Sequence, residues 1–124
     1  MSKQTTIYIV RHGQAEFNLH HIIGGTLDPN PLTEKGEKQA RKLGERFKNI
    51  KIDKIYSSDL LRAQKTAEII ASLKNLPVKT NSLLRERSWG ILQGKIFDEA
   101  KKEYPKAFLR ESKIEGEQAL DFKY

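Results

Sequence analysis

Short apolar runs alternating with amphipathic stretches predict an α/β domain with a parallel sheet. Two runs supply the first strands. Residues 6–10 (Thr-Ile-Tyr-Ile-Val) are β-branched or aromatic and almost uniformly apolar, as expected of a strand covered on both faces. "IDKIYSS" at 52–58 is a second short strand. Helical spacing follows each of them, with Ala40, Leu43 and Phe47 on one stripe and Leu60, Ala63, Ala67, Ile70 and Ala71 on another. Parallel strands joined by helices imply right-handed crossovers.

The remaining elements follow in order. "GGTLDPNPLTEKG" is dense in Gly, Pro, Asn and Asp, so residues 24–33 are expected as a loop leading to a helix that starts near Thr33. Ser58 or Asp59 can cap the next helix through its side-chain oxygen. "PVKT" at 77–80 reads as a third strand, followed by a polar loop around 81–95 and a shorter helix near 96–104 that Pro105 ends. No repeat, low-complexity segment or interdomain linker interrupts the pattern, and 124 residues suit a single domain, 1–124.

Composition narrows the classes. With 37% hydrophobic and 31% charged residues, and no apolar stretch near the ~20 residues that span a bilayer, the chain reads as globular with no membrane partner. The start MSKQTT has no basic region followed by an apolar core, and cysteine is absent, so a cytoplasmic location is expected. The 23 Lys+Arg against 16 Asp+Glu give +7, which favours any anionic partner. These cations are interleaved with glutamates, as in "EKGEKQARKLGERFK", which suits a solvated helix face and argues against a nucleic-acid partner.

Two strand ends carry chemistry. Arg11-His12-Gly13 follows the first, and Ser57-Ser58-Asp59 with Arg62 follows the second. In open α/β sheets ligands bind beyond the carboxyl ends of the strands. An arginine in the first turn of a helix opposes the helix dipole unless an anion lies between them. Two guanidinium forks with backbone N–H groups then make a phosphate cradle. Taken singly, Arg11 and Arg62 also read as surface cations, and His12 as a structural histidine. Gly13 would let the backbone turn and approach a ligand. His20 and His21 have no third ligand at metal spacing, so no metal site is expected.

"VRHGQAEFN" resembles the "RHG" signature of the histidine phosphatase superfamily, also called phosphoglycerate mutase-like. "PLTEKG", "IYSSDLLRAQKTAEII" and "LLRERSWGILQGK" follow in the family's order and approximate spacing, covering roughly residues 5–95. The resemblance implies a three-layer α/β/α fold and a phosphatase, a hydrolase of phosphomonoesters using no cofactor. His12 would be the nucleophile that becomes a phosphohistidine. Arg11 and Arg62 would hold the phosphate, with Asn18 and the Gly24–Gly25 backbone adding hydrogen bonds, and Glu86 would protonate the leaving oxygen. From composition alone, Glu86 in "RERS" reads first as one more exposed charge, and the resemblance reverses that reading. Gln14 is expected to line the pocket, and Trp89 and Phe97 to pack. Neighbouring arginines should keep His12 unprotonated.

The pattern also departs from the family. Members carry a second histidine late in the chain, at the end of a strand lying between those placed here at 6–10 and 53–57. No histidine follows His21. "EGEQALDFKY" at 115–124 resembles the start of the family's next helix. An N-terminal portion of such a domain is therefore expected, lacking a central strand, poorly active, and prone to homo-oligomer formation or strand exchange. Cofactor-dependent mutases place a lysine shortly after the "LLRERSWGILQGK" block, at a position near Phe97 here, and paired arginines after it; both are absent, so a phosphatase acting on a small phosphorylated substrate is the first reading. A phosphoglycerate mutase and a catalytically impaired phosphoryl-binding fragment are the alternatives.

Overall fold

A computed structural model describes residues 3–108. Its elements are α1 (Glu16–Leu19), α2 (Glu34–Arg46), β1 (Ile55–Ser57), α3 (Leu61–Lys74), β2 (Val78–Thr80), α4 (Phe97–Glu103) and α5 (Pro105–Phe108). Single 3₁₀ turns at Ser82–Leu84 and Gly90–Leu92 break up the polar stretch between β2 and α4. β1 and β2 pair in parallel, with Ile55 opposite Val78, Tyr56 opposite Lys79 and Ser57 opposite Thr80. The helix joining them, α3, packs on both strands and on α2. The expected α/β unit is thus present with its parallel pairing.

Helix α2 begins where its chemistry dictates. Thr33 is the N-cap and accepts from the Gly36 N–H at 3.1 Å, with Glu34 and Glu37 in the first turn and Arg46 in the last. Gly36, Ala40 and Gly44 form its buried stripe. Phe47, at the C-cap, is buried and meets Tyr8 edge-on, with ring centroids 5.3 Å apart.

Two expectations are corrected. Residues 6–10 form no strand, and their apolar side chains are exposed: Ile7 76%, Tyr8 49%, Ile9 93% and Val10 43%. A β-run becomes a strand only when a neighbour takes its N–H and C=O groups, and among the described residues β1 pairs with β2 alone. Neither Ser58 nor Asp59 caps α3. Leu60 is the N-cap, the Ser57 hydroxyl donates to the Ser58 carbonyl, and the Asp59 carboxylate forks onto Arg85 at 2.5 and 2.6 Å. A charged bidentate partner outcompetes the local cap. The free amide of Leu61 donates instead to Asp28 Oδ1 at 3.1 Å, so the loop before α2 caps α3 from outside.

At the other end Asn75 closes α3 in the left-handed region (φ 53°), and Lys74 Nζ donates to the carbonyls of Phe47, Lys48 and Ile50 at 3.0, 3.2 and 2.6 Å. This ties the ends of α2 and α3 together. A second apolar centre joins Ile23, Leu92 and Ala100, with Trp89, Tyr104 and Phe108 packed around it. Trp89 is therefore a packing residue, as expected. Phe97 packs edge-on against Phe108 at 5.3 Å. Pro105 ends α4 and opens α5, since its fixed φ suits a first helical position. The helix start expected at 115–124 lies outside the described residues.

Candidate active site

The Arg11–Gly13 segment is held on two sides. Gly13 lies so close to Gly36 that a Cβ on it would strike the Gly36 carbonyl, and a Cβ on Gly36 would strike the Gln14 carbonyl. The glycine after His12 is thus required by contact with the start of α2, a different reason from the ligand approach expected. Gln14 shares that contact: its Oε1 accepts from the Thr33 hydroxyl at 2.9 Å and its carbonyl from the Thr33 N–H at 2.9 Å. On the other side the buried Thr66 Oγ1 accepts from the Gly13 N–H at 3.1 Å and donates to the Arg62 carbonyl at 2.8 Å.

His12 is half-buried, and its Nδ1 lies 2.6 Å from the Gly13 carbonyl. A carbonyl can only accept, so in the neutral ring Nδ1 carries the proton and Nε2 keeps its lone pair. Burial is the main cause that lowers the His12 pKa; the Gly13 bond raises it, Arg62 and Arg11 lower it, and Glu86 raises it. The arginines thus act as expected, behind desolvation. A cleft runs from Arg11 and His12 over Gln39 and Leu43 of α2 to Thr66. Arg62 and Glu86 are not among its lining residues.

Arg62 is 5% exposed. Its Nη2 donates to the Gly25 carbonyl at 2.6 Å and its Nη1 to the Leu27 carbonyl at 3.5 Å. Burial lowers its pKa, and the charges of Glu86 and Asp28 raise it. A guanidinium has five N–H donors, so these two bonds leave donors available.

Other expected residues lie as follows. Asn18 Oδ1 accepts from the Ala15 N–H at 2.9 Å at the start of α1. Gly24 and Gly25 both sit on the loop that wraps Arg62; the Gly24 carbonyl accepts from Leu27 N–H, and Gly25 has φ 53°. Glu86 is exposed, next to Arg87, whose guanidinium lies 4.1 Å from the Trp89 ring. Its charge acts on both His12 and Arg62. His20 and His21 are exposed, and the described residues contain no cluster of metal-ligating side chains. No helix among the described residues is long and apolar enough to cross a membrane.

Three residues at the site were not anticipated: Asp28, Thr66 and Gln93. Thr66 follows Arg62 by one helical turn, a spacing that puts both on one face. Gln93 and Asp28 left no comparable signal, because their partners are distant in sequence.

The chain resembles several solved structures over this region. Bacillus stearothermophilus YhfR superposes with a TM-score of 0.72 and 37% identity, covering 77% of this chain and 46% of that one. Mycobacterial glucosyl-3-phosphoglycerate phosphatase Rv2419c, complexed with VO3, gives 0.76 and 33%, covering 80% and 47%. Among curated relatives, a probable phosphoglycerate mutase GpmB of Salmonella choleraesuis is 44% identical over 92 residues, or 74% of this chain and 42% of the relative. The chain thus spans less than half the length of the curated relatives it matches. The sequence model of the histidine phosphatase superfamily (branch 1) matches residues 7–122, and the chain belongs to that superfamily.

Proposed function

We propose that residues 1–124 are the N-terminal portion of a single cytoplasmic histidine-phosphatase domain that hydrolyses a small phosphomonoester through a phosphohistidine on His12. The observation that carries this reading is the 2.6 Å bond from His12 Nδ1 to the Gly13 carbonyl, which leaves Nε2 as a nucleophile in the field of Arg11 and Arg62. In the first step Nε2 attacks phosphorus and the bond to the leaving oxygen breaks. Glu86, as the carboxylic acid, gives that oxygen its proton. In the second step water attacks phosphorus, its proton passes to Glu86, the N–P bond breaks and inorganic phosphate leaves. Phosphoryl transfer asks mainly for positioning and cations around the equatorial oxygens. Arg11 and Arg62 supply the charge, with hydrogen bonds from Asn18 and the Gly24–Gly25 backbone.

A mutase is the second reading, favoured by the name of the 44% identical relative. The absence of the mutase lysine, whose position the resemblance places near Phe97, weighs toward the phosphatase. The test is incubation with a radiolabelled phosphomonoester, followed by assay of acid-labile label on the protein and of free phosphate. Label on the wild type that His12→Ala abolishes, with phosphate released, is the expected result. Transfer of label to a second phosphorylated substrate in place of release identifies the mutase. Saturable phosphate binding without label identifies a binding fragment and overturns the enzyme reading.

A further inference from the structure

One side-chain oxygen connects the segment carrying Glu86 to the loop around Arg62. Gln93 Oε1 accepts from the Thr26 N–H at 2.8 Å, the Thr26 hydroxyl at 3.1 Å and the Trp89 N–H at 3.2 Å. The Ser88 hydroxyl lies 3.4 Å away. Two of these partners are backbone N–H groups, which require an acceptor and so fix which end of the amide is oxygen. Backbone pairing brings it there: the Ile23 N–H donates to the Lys95 carbonyl at 2.9 Å, and the Gly94 N–H to the Ile23 carbonyl at 2.8 Å. Gly25 is fitted to this contact, since a Cβ on it would strike Gln93 Oε1 and crowd Trp89 Cδ1 at 3.1 Å.

The consequence falls on the arginine. Gly25 precedes Thr26, and its carbonyl holds Arg62 Nη2 at 2.6 Å. A loop fixed at Thr26 presents that carbonyl at one place, and so sets where the buried fork points. We propose that Gln93 is a positioning residue for the phosphate-holding arginine, acting through the Gly25–Thr26 backbone on Arg62. The proposal rests on the reading of Arg62 as a phosphate ligand. Because the bonds all converge on Oε1 as acceptor, a carboxylate can serve in its place, whereas an apolar side chain of similar length cannot.

The experiment uses the 124-residue chain with Gln93→Met and Gln93→Glu. Nitrogen-resolved NMR of the arginine side chains reads whether the Arg62 fork is held, and calorimetric titration with inorganic phosphate reads the site. Trp89, the chain's single tryptophan, reports the fold of the loop by fluorescence. The wild type and Gln93→Glu are expected to show slowly rotating Arg62 N–H groups and phosphate affinities within about threefold of each other. Folded Gln93→Met should lose the slow rotation and bind phosphate about tenfold more weakly. Retention of both properties in Gln93→Met, or loss of the Arg62 signature in folded Gln93→Glu, overturns the proposal. Should Gln93→Met fail to fold, Gln93→Leu takes its place, with the same expected and overturning results. If the wild type binds no phosphate the phosphatase reading fails, and the Arg62 signature still decides whether Gln93 holds the fork.

Discussion

Thr66 joins the two cationic segments of the site through one hydroxyl, which accepts from the Gly13 N–H at 3.1 Å and donates to the Arg62 carbonyl at 2.8 Å. Gly13, beside His12, and the helix that carries Arg62 therefore share one buried atom. Thr66→Val keeps the shape and leaves the Gly13 N–H without its acceptor, which should cost about 1–3 kcal/mol. Thr66→Ser keeps the bond and should cost less. Urea denaturation of the two variants checks the order, and equal losses would show that packing of the methyl group matters more than the bond.

The His12 pKa lies below the ordinary imidazole value of about 6.5. Under the proposed mechanism, protonation of the ring should therefore limit phosphohistidine formation only below that value. Stability follows the same group. Below about 6.5 the unfolded chain binds a proton that folded His12 resists, so stability is full above that value and decreases as pH falls toward the lowered folded pKa. His12→Asn should flatten that part of the stability profile. Unchanged steepness in the variant would assign the slope to other groups.

Arg62 holds a planar fork against two carbonyls. Arg62→Lys keeps the charge and loses that geometry, so vanadate or phosphate affinity should drop about tenfold or more. Calorimetry gives the answer, and wild-type affinity in the lysine variant would remove the fork from the account.

Asp28 caps α3 across the fold, at 3.1 Å from the Leu61 N–H. Asp28→Ala should destabilise the chain by about 0.5–2 kcal/mol. Asp28→Asn, which keeps an acceptor oxygen, should cost less. Chemical denaturation compares them, and hydrogen exchange at the first turn of α3 should rise in Asp28→Ala first.

Ile7 and Ile9 are 76% and 93% exposed beside the Arg11–Gly13 segment. Apolar side chains on a β-prone segment that pairs with no described strand favour association between copies. Light scattering of the 124-residue chain should show concentration-dependent larger species, and Ile7→Lys with Ile9→Lys should shift them toward monomer. A monomeric wild type at all concentrations would exclude the oligomer.

Local patterns made much of this legible. Thr33 with Glu34 and Glu37 marks the start of α2, and Ala40 with Gly44 marks its buried stripe. Val78–Thr80 pairs as a strand, and Pro105 ends α4. The same local logic failed at 6–10 and at Ser58–Asp59. A strand depends on a partner far along the chain, and a cap can be displaced by any charge that folding brings near. Asp59 is taken by Arg85, and the cap passes to Asp28.

The sequence alone determined helices α2, α3 and α4, the β-prone runs, and the ordered blocks around His12, Arg62 and Glu86 that carry the family, because these are written in neighbouring residues. Only the tertiary structure decided how the site is held. Gly13 is a glycine because α2 presses on it, Thr66 is polar because Gly13 and Arg62 need its hydroxyl, and Gln93 faces Thr26 across 67 residues of chain. Hydrogen bonds between distant residues leave no periodicity to read. They exist only once backbone pairing has brought the two segments together.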